Sequence, residues 1–273
     1  MKIIDLTPEY ENLYCLCLED WSDEIKEAGD HKARWFRRMK DKGLGVKLAL
    51  DDQGRVGGMI QYLPIEYSPA EGRDLYFVPC VWVHGHKQGR GNFQKKGMGQ
   101  ALLRAAEEDV RARGAKGLAV WGMPIPVFMR ASWFKKQGYK PADRVGLRVL
   151  LWKSFADEAV PPKWVKERKR PAPAGDKVEV TAFIEGWCPA MNMVAERARR
   201  AAAELGPLVE FRAVDSWQPG VFAEWGIRDG LFVNGKPVRT GPPPSYDKIK
   251  KRIAKQVKKA KVPRRDHRPR RIP

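Results

Sequence analysis

The alternation of apolar and polar positions divides the chain into short elements of both kinds. Residues 100–113, QALLRAAEEDVRAR, put Leu102, Leu103, Ala106 and Val110 on one helical face, and Gly114 supplies a stop. Residues 8–20 and 32–40 also predict helices, and residues 130–137 predict another that ends at Gly138. Apolar runs at 46–50 and 57–63 predict strands joined by the turn Asp51-Asp52-Gln53-Gly54. Residues 76–84, YFVPCVWVH, form a strongly apolar strand. Its Pro79 has no N–H to give to a ladder, which predicts a bulge or a strand start there. Shorter strands are expected at 118–121 and 146–152.

A second series begins with a strand at 178–184, then Trp187-Cys188-Pro189 and a helix at 190–204. A strand at 209–214 follows. Residues 231–233 and Pro237-Val238 flank Asn234-Gly235, a strong hairpin dipeptide, and a basic helix at 246–259 closes the series. Between the two series, residues 155–176 are rich in proline and charge and show no apolar period, which reads as a linker. The expected organisation is a first domain at 1–154, a linker at 155–176, a second domain at 177–260 and a tail at 261–273. No internal repeat is visible.

Composition narrows the class. The 273 residues are 43% hydrophobic, enough to fill cores and to exclude wholesale disorder. The net charge of +19 is uneven: residues 251–273 hold 11 Lys and Arg against Asp266 alone. This describes a mildly basic body with a basic tail rather than a uniformly basic nucleic-acid-binding surface. No apolar run is long enough to span a membrane, and the N-terminus lacks an apolar stretch of signal-peptide length. Four cysteines, at 15, 17, 80 and 188, are too few for a disulfide scaffold, so a cytoplasmic setting is expected. Cys15, Cys17, Cys80, His84 and His86 invite a zinc reading. Residues two apart on a helix diverge, however, so no metal is expected.

The most informative stretch is 84–103, HGHKQGRGNFQKKGMGQALL. An apolar strand enters a loop rich in glycine and lysine that opens directly into an amphipathic helix. A helix N-terminus offers free N–H groups to an anion, and Gly97 and Gly99 let the backbone approach a phosphate. Gln94-Lys95-Lys96-Gly97-Met98-Gly99 resembles the Arg/Gln-x-x-Gly-x-Gly/Ala signature of the Gcn5-related N-acetyltransferase (GNAT) superfamily. Residues 131–139, ASWFKKQGY, are similar to that family's common ending. The resemblance covers residues 1–154 and implies an α/β (α+β) fold with a splayed mixed sheet flanked by helices. It also implies acetyl-CoA as co-substrate. The amides of Lys95, Lys96, Gly97, Met98, Gly99 and Gln100, with Gln94, would hold its pyrophosphate, and Val81 and Val83 would pair with its pantetheine arm. A competing register, His86-Lys87-Gln88-Gly89-Arg90-Gly91, has the same glycine spacing but no helix after it. Residues 84–93 then form a long insertion.

Acyl transfer to an amine needs a neutral amine, an oxyanion donor and a proton for the leaving thiol. Where the family commonly has a tyrosine acid, this chain has Phe134, so the catalytic residues stay unassigned. Ser132, Tyr139, His84 and Cys80, or a relay through Glu66 or Tyr67, are the substitutes to weigh.

The order of elements in 178–260 resembles a thioredoxin-like, YoaP-like domain. Cys188 at a helix N-terminus is expected to have a lowered pKa and is a candidate reactive thiol. Met191 stands where a second cysteine would complete the redox pair, and no proline lies in 226–230. The expectation is therefore an N-acetyltransferase acting on a small-molecule or peptide amine. Alternatives are a thiol-dependent redox protein acting through Cys188, or a noncatalytic CoA- or nucleic-acid-binding module. Weak nucleic-acid contact is expected only of the basic tail.

Overall fold

The computed structural model describes residues 1–126, 128–173 and 175–260. In chain order its first part contains β1 (Lys2–Asp5), α1 (Glu11–Cys15), α2 (Asp23–Lys26), α3 (His31–Met39), β2 (Gly45–Leu50), β3 (Val56–Pro64), β4 (Ala70–Glu71) and β5 (Leu75–Val83). Then come α4 (Met98–Ala112), β6 (Gly117–Gly122), α5 (Ala131–Lys136), β7 (Lys140–Val145), β8 (Arg148–Ser154) and β9 (Lys163–Trp164). Among the described residues these build a seven-stranded mixed sheet in the order β1-β2-β3-β5-β6-β8-β7, with β4 and β9 paired apart from it. One face of the sheet packs Met59, Leu63, Phe77 and Cys80 against Tyr14, Trp35 and Phe36. The other packs Ile60, Val78 and Val120 against Leu102, Leu103 and Ala106 of α4 and Phe134 of α5.

The centre of this sheet carries the bulge expected at Pro79. Gln61 lies opposite Cys80 and Leu63 opposite Phe77, so β5 holds one residue more than β3 across this interval. The extra residue changes the parity of the strand. Phe77 and Cys80, three apart, share the α3 face, while Val78 and Val81, also three apart, share the α4 face. The parallel pairing of β5 with β6 runs from Leu75–Gly117 to Val78–Val120 and ends there. Past the bulge β6 continues with β8, and β5 and β6 part.

A second, smaller α/β unit follows: β10 (Val178–Ile184), α6 (Pro189–Leu205), β11 (Val209–Asp215), α7 (Pro219–Trp225), β12 (Gly230–Val233), β13 (Lys236–Val238) and α8 (Tyr246–Ala260). Its sheet runs β11-β10-β12-β13, parallel between β10 and β11 and antiparallel elsewhere. Ile249, Ile253 and Val257 of α8 pack beneath it with Ala198 and Ala201 of α6. The tail arginines, Arg264, Arg265, Arg268, Arg270 and Arg271, lie outside the described residues. No described helix is long and apolar enough to cross a membrane.

Charge joins the units. Arg197 of α6 is buried and donates to Glu24 at 2.7 Å, to Glu27 at 3.0 Å and to the Pro244 carbonyl at 3.0 Å. His31 meets Glu196 at 2.9 Å, and Arg228 donates to the carbonyls of Glu66 and Ser68 at 3.3 and 3.1 Å.

Several elements differ from the patterning. The helix expected over 8–20 is a 3-10 turn and the short α1, because Cys17 and Leu18 adopt left-handed conformations (φ 53° and 63°) that bury Leu18. The stretch 155–176 contains a fastening: Trp164 is buried against Phe77, with ring centroids 6.3 Å apart, and its backbone N–H donates to Asp143 Oδ2 at 2.8 Å. Trp164→Ala should lower the unfolding free energy by about 3 kcal/mol through the cavity it leaves, read as a lower urea midpoint of the near-UV circular dichroism.

Candidate functional site

The candidate site lies where α4 begins, beside the parted end of β5. Lys95 has φ 62°, and Gly97, which caps α4, has φ 82°. Left-handed residues alternating in this way turn successive N–H groups inward and make a concavity suited to an anion. No side chain caps the helix, and its first bond runs from the Ala101 N–H to the Gly97 carbonyl at 3.0 Å. The N–H groups of Met98, Gly99 and Gln100 therefore have no partner within the helix. The cradle is open: a β-carbon at Gly97 would meet nothing within 4 Å, and Gln94, Lys95, Lys96 and Gln100 are exposed. Met98 alone is buried and anchors the first turn in the core.

The neighbouring edge of β5 is free. The His84 N–H donates to the Gly57 carbonyl at 2.9 Å, so alternate residues of the strand face β3. By that alternation the N–H and carbonyl groups of Val81 and Val83 face the other way, into the gap. Gln94 Nε2 lies 3.5 Å from the Val83 carbonyl, linking cradle and strand. A β-carbon at Gly99 would lie 3.7 Å from Val83 and 3.5 Å from Trp133, so these side chains form the cradle's inner wall. Trp121 closes the base of the gap by donating Nε1 to the Pro79 carbonyl at 2.7 Å. Cradle, free edge and gap are thus continuous.

Residues 84–93 form an ordered loop. The Phe93 N–H donates to the His84 carbonyl at 2.8 Å, and the Phe93 ring lies on Gly57. Arg90 donates to the Val56 carbonyl at 3.0 Å and to both oxygens of Asp20 at 3.1 Å. The competing glycine register therefore belongs to a tethered turn with no helix behind it. His84 is fully buried at its root: Nδ1 meets the Gly91 carbonyl at 2.7 Å and Nε2 accepts from Trp21 Nε1 at 3.0 Å. A ring nitrogen facing a carbonyl must carry hydrogen and one facing an indole N–H must not, which defines a neutral imidazole with both nitrogens used.

The other candidate acids are placed away from acid chemistry. Phe134 is wholly buried against Tyr139, with ring centroids 5.9 Å apart. Burial, with Glu107 beside it, pushes the Tyr139 phenol well above its ordinary range. Burial does the same to the Cys80 thiol, helped by Cys17. Ser132 is exposed on α5. Glu66 and Tyr67 follow the Pro64 end of β3, which pairs with Tyr76, at the opposite end of β5 from the gap.

Cys188 caps α6, as its sequence position implies, but the dipole does not decide its acidity. The residue is partly accessible as a whole, yet burial of the sulfur at the junction of the units, with Cys17 nearby, pushes the thiol up to about 12. The expected lowering is reversed because desolvation of a thiolate outweighs the helix terminus. The cysteines are free, and among the described residues no group of three or more side chains could hold a metal.

Patterning did not bring together the residues that surround the gap on its α3 face, Glu19, Trp21, Trp82, His86 and Phe128, of which His86 alone was weighed, as a zinc ligand and as the start of the competing glycine register. Phe128 stands between Trp82 and Trp121, with centroid distances of 5.8 and 5.9 Å. Trp82 stood in the apolar strand at 76–84 and Glu19 in the helix expected over 8–20, and nothing local marked them, Trp21 or Phe128 as neighbours in space.

No family model matches the chain, and no curated protein matches it. Solved structures similar to it include a GNAT family acetyltransferase from Brucella melitensis in complex with acetyl-CoA, at 18% identity over 59% of this chain and 90% of that one, TM-score 0.40. Another is the PaiA N-acetyltransferase from Thermoplasma acidophilum in complex with coenzyme A, at 18% identity over 57% and 100%, TM-score 0.42. A third is an aminoglycoside 6'-acetyltransferase type Ii, at 16% identity over 58% and 99%, TM-score 0.43.

The acidity of Cys188 gives a measurable consequence. At pH 7.5 the native protein should alkylate at Cys188 on the order of a thousandfold more slowly than the urea-unfolded chain, because an unperturbed thiol ionises near 8.5. Peptide mass spectrometry after timed iodoacetamide treatment reads this, and the native rate should rise with pH toward 12.

Proposed function

We propose that the chain is an acyl-CoA-dependent N-acetyltransferase of the GNAT type, transferring acetyl directly from acetyl-CoA to an amine. The observation that carries this reading is the continuity of an open amide cradle at 94–100 with a strand edge left free where β5 parts from β6. In this reading the domain at 1–154 carries the transferase and 155–176 connects it to the rest. The domain at 177–260 is thioredoxin-like, of the YoaP-like kind, supported by its βαβαββα order and its strand arrangement. Its Cys188 then acts in packing.

Acetyl-CoA supplies an acyl group activated as a thioester. The amides of Lys95 to Gln100 would take the diphosphate, with Lys95 and Lys96 adding positive charge beside it. Val81 and Val83 would pair through their free edge with the amide-bearing arm, as an added strand pairs with a sheet. An N–H of the same edge would face the carbonyl oxygen as charge develops on it. Trp121, tied to the Pro79 carbonyl, holds the gap at a defined width. Phe134 and the buried Tyr139 give the leaving sulfur no proton, so it departs as a thiolate and is protonated from water. With a thiol pKa near 8.5 this costs on the order of a hundredfold in rate and does not abolish turnover.

Gly97→Glu tests the cradle. A carboxylate there repels the diphosphate, and a β-carbon at φ 82° strains the turn, while an acidic residue at a helix start keeps α4 stable. Calorimetric titration should show acetyl-CoA affinity weakened by about 100-fold or more with the circular dichroism unchanged. Equal affinity in the two proteins would remove the cradle from the site.

A further inference from the structure

The α3 face of the gap is walled by aromatic rings around a single carboxylate. Trp82 leaves β5 on this face. Its ring lies 5.8 Å from Phe128 and 6.4 Å from His86, and His86 lies 6.0 Å from Trp21. Trp21 and Phe128 are 39% and 40% exposed, high values for side chains of this size, and Ile125 nearby in sequence is 42% exposed. These rings are held rather than loose. Trp21 is pinned by its bond to His84, and its indole lies flat on Gly89, where a β-carbon would come within 2.2 Å of the ring.

Glu19 sits among them with its side chain only 16% exposed. Its neighbour Asp20 is satisfied by Arg90, whereas Glu19 is given no lysine or arginine among the described residues. The charged or titratable groups that face it are His84, whose Nε2 is 3.9 Å away, and the exposed His86. His84 Nε2 is already used by Trp21, in the neutral form derived above. The indole N–H groups of Trp21 and Trp82 also face the carboxylate, and the Trp82 nitrogen is buried with no partner of its own. Burial raises the Glu19 pKa despite these neighbours. A half-buried carboxylate with no lysine or arginine beside it, bordered by aromatic rings, has the chemistry of a receptor for an organic cation. The rings attract the positive charge, and the carboxylate pairs with it.

We propose that this cage is the acceptor site and that the acceptor is a primary amine carried on an apolar, preferably aromatic, body and bound as its ammonium ion. This rests on the transferase reading. Glu19 takes one proton from the ammonium and passes it to water. The freed amine attacks the thioester carbonyl, the C–N bond forms, the C–S bond breaks, and a second proton from nitrogen accompanies the departing thiolate through solvent. The products are the N-acetylamine, CoA thiol and one proton. A small polar amine gains the carboxylate but not the rings, and an apolar alcohol gains the rings but not the carboxylate.

The test uses the full-length protein and three probes: phenethylamine, ethanolamine and 2-phenylethanol. Calorimetry without acetyl-CoA should show phenethylamine binding at least tenfold more tightly than either control. Glu19→Gln should weaken phenethylamine at least tenfold while leaving 2-phenylethanol unchanged. Trp21→Ala should weaken both, with Trp21→Phe restoring most of the loss. In a thiol-release assay with acetyl-CoA, phenethylamine should be consumed with a KM at least tenfold below that of ethanolamine, and Glu19→Gln should lower kcat/KM at least tenfold. Equal binding of the three probes, or a Glu19→Gln variant indistinguishable from the parent, overturns the cage. If acetyl-CoA binds and is consumed with no preference among amines, the cage alone fails. If acetyl-CoA does not bind while the probes do, the transferase reading fails and the cage stands as a cation-binding site.

Discussion

A proline in the middle of a central strand governs this molecule. Pro79 cannot donate to a ladder, and β5 answers with a bulge that reverses the parity of every side chain after it. Two consequences follow from that one residue. The pairing of β5 with β6 stops at Val78, so the remaining five residues of the strand, Pro79 to Val83, have no strand partner on the β6 side, and this edge lies inside the protein rather than at its rim. Cys80 and Trp82 also turn to the α3 face while Val81 and Val83 turn to α4. A free edge buried in a sheet carries unpaired polar groups that must be met by water or a ligand, and the cradle at the start of α4 opens onto that edge.

The surroundings hold this opening in shape. Trp121 braces the Pro79 carbonyl, Gln94 reaches Val83, and Trp133 and Val83 bracket Gly99. On the opposite face the loop at 84–93 is fastened through His84, Arg90 and Phe93, which positions Trp21 and with it the segment bearing Glu19. Left-handed geometry at Cys17 and Leu18 ends α1 early and turns the chain toward the mouth of the gap. Such conformations are disfavoured for these residue types and persist because Leu18 is wholly enclosed in the core.

The second unit bears on the same face. Its Arg197 and Arg228 reach across to the first unit, Trp187 and Trp217 pack against the core of the first sheet, and Cys188 lies near Cys17 and Cys80. An arginine as buried as Arg197 is stable only because two glutamates and a carbonyl satisfy it. The unit therefore works as a cover for the α1 and α3 side of the sheet, leaving the aromatic rim at Trp21 and Phe128 as the exposed approach.

Local signals carried much of this in the sequence. The periodicity of 100–113, the stops at Gly114 and Gly138, the Asn234-Gly235 hairpin and the strand at 178–184 all depend on neighbours within a few residues, and the folded elements follow them closely. The bulge was legible because proline lacks an N–H in any context, and the open turn before α4 because glycine spacing before an amphipathic helix is itself local. What tertiary structure alone decided depended on distant partners. β1 and β7 are edge strands that exist by pairing with β2 and β8. Trp164 becomes core only when β9 meets β4. The thiol of Cys188 is raised because another unit closes over it, against the lowering its own helix would give. The cage around Glu19 draws on residues 19, 21, 82, 86 and 128, which no window along the chain unites. Backbone geometry is set by adjacent residues, whereas desolvation and charge pairing are set by whatever the fold brings near.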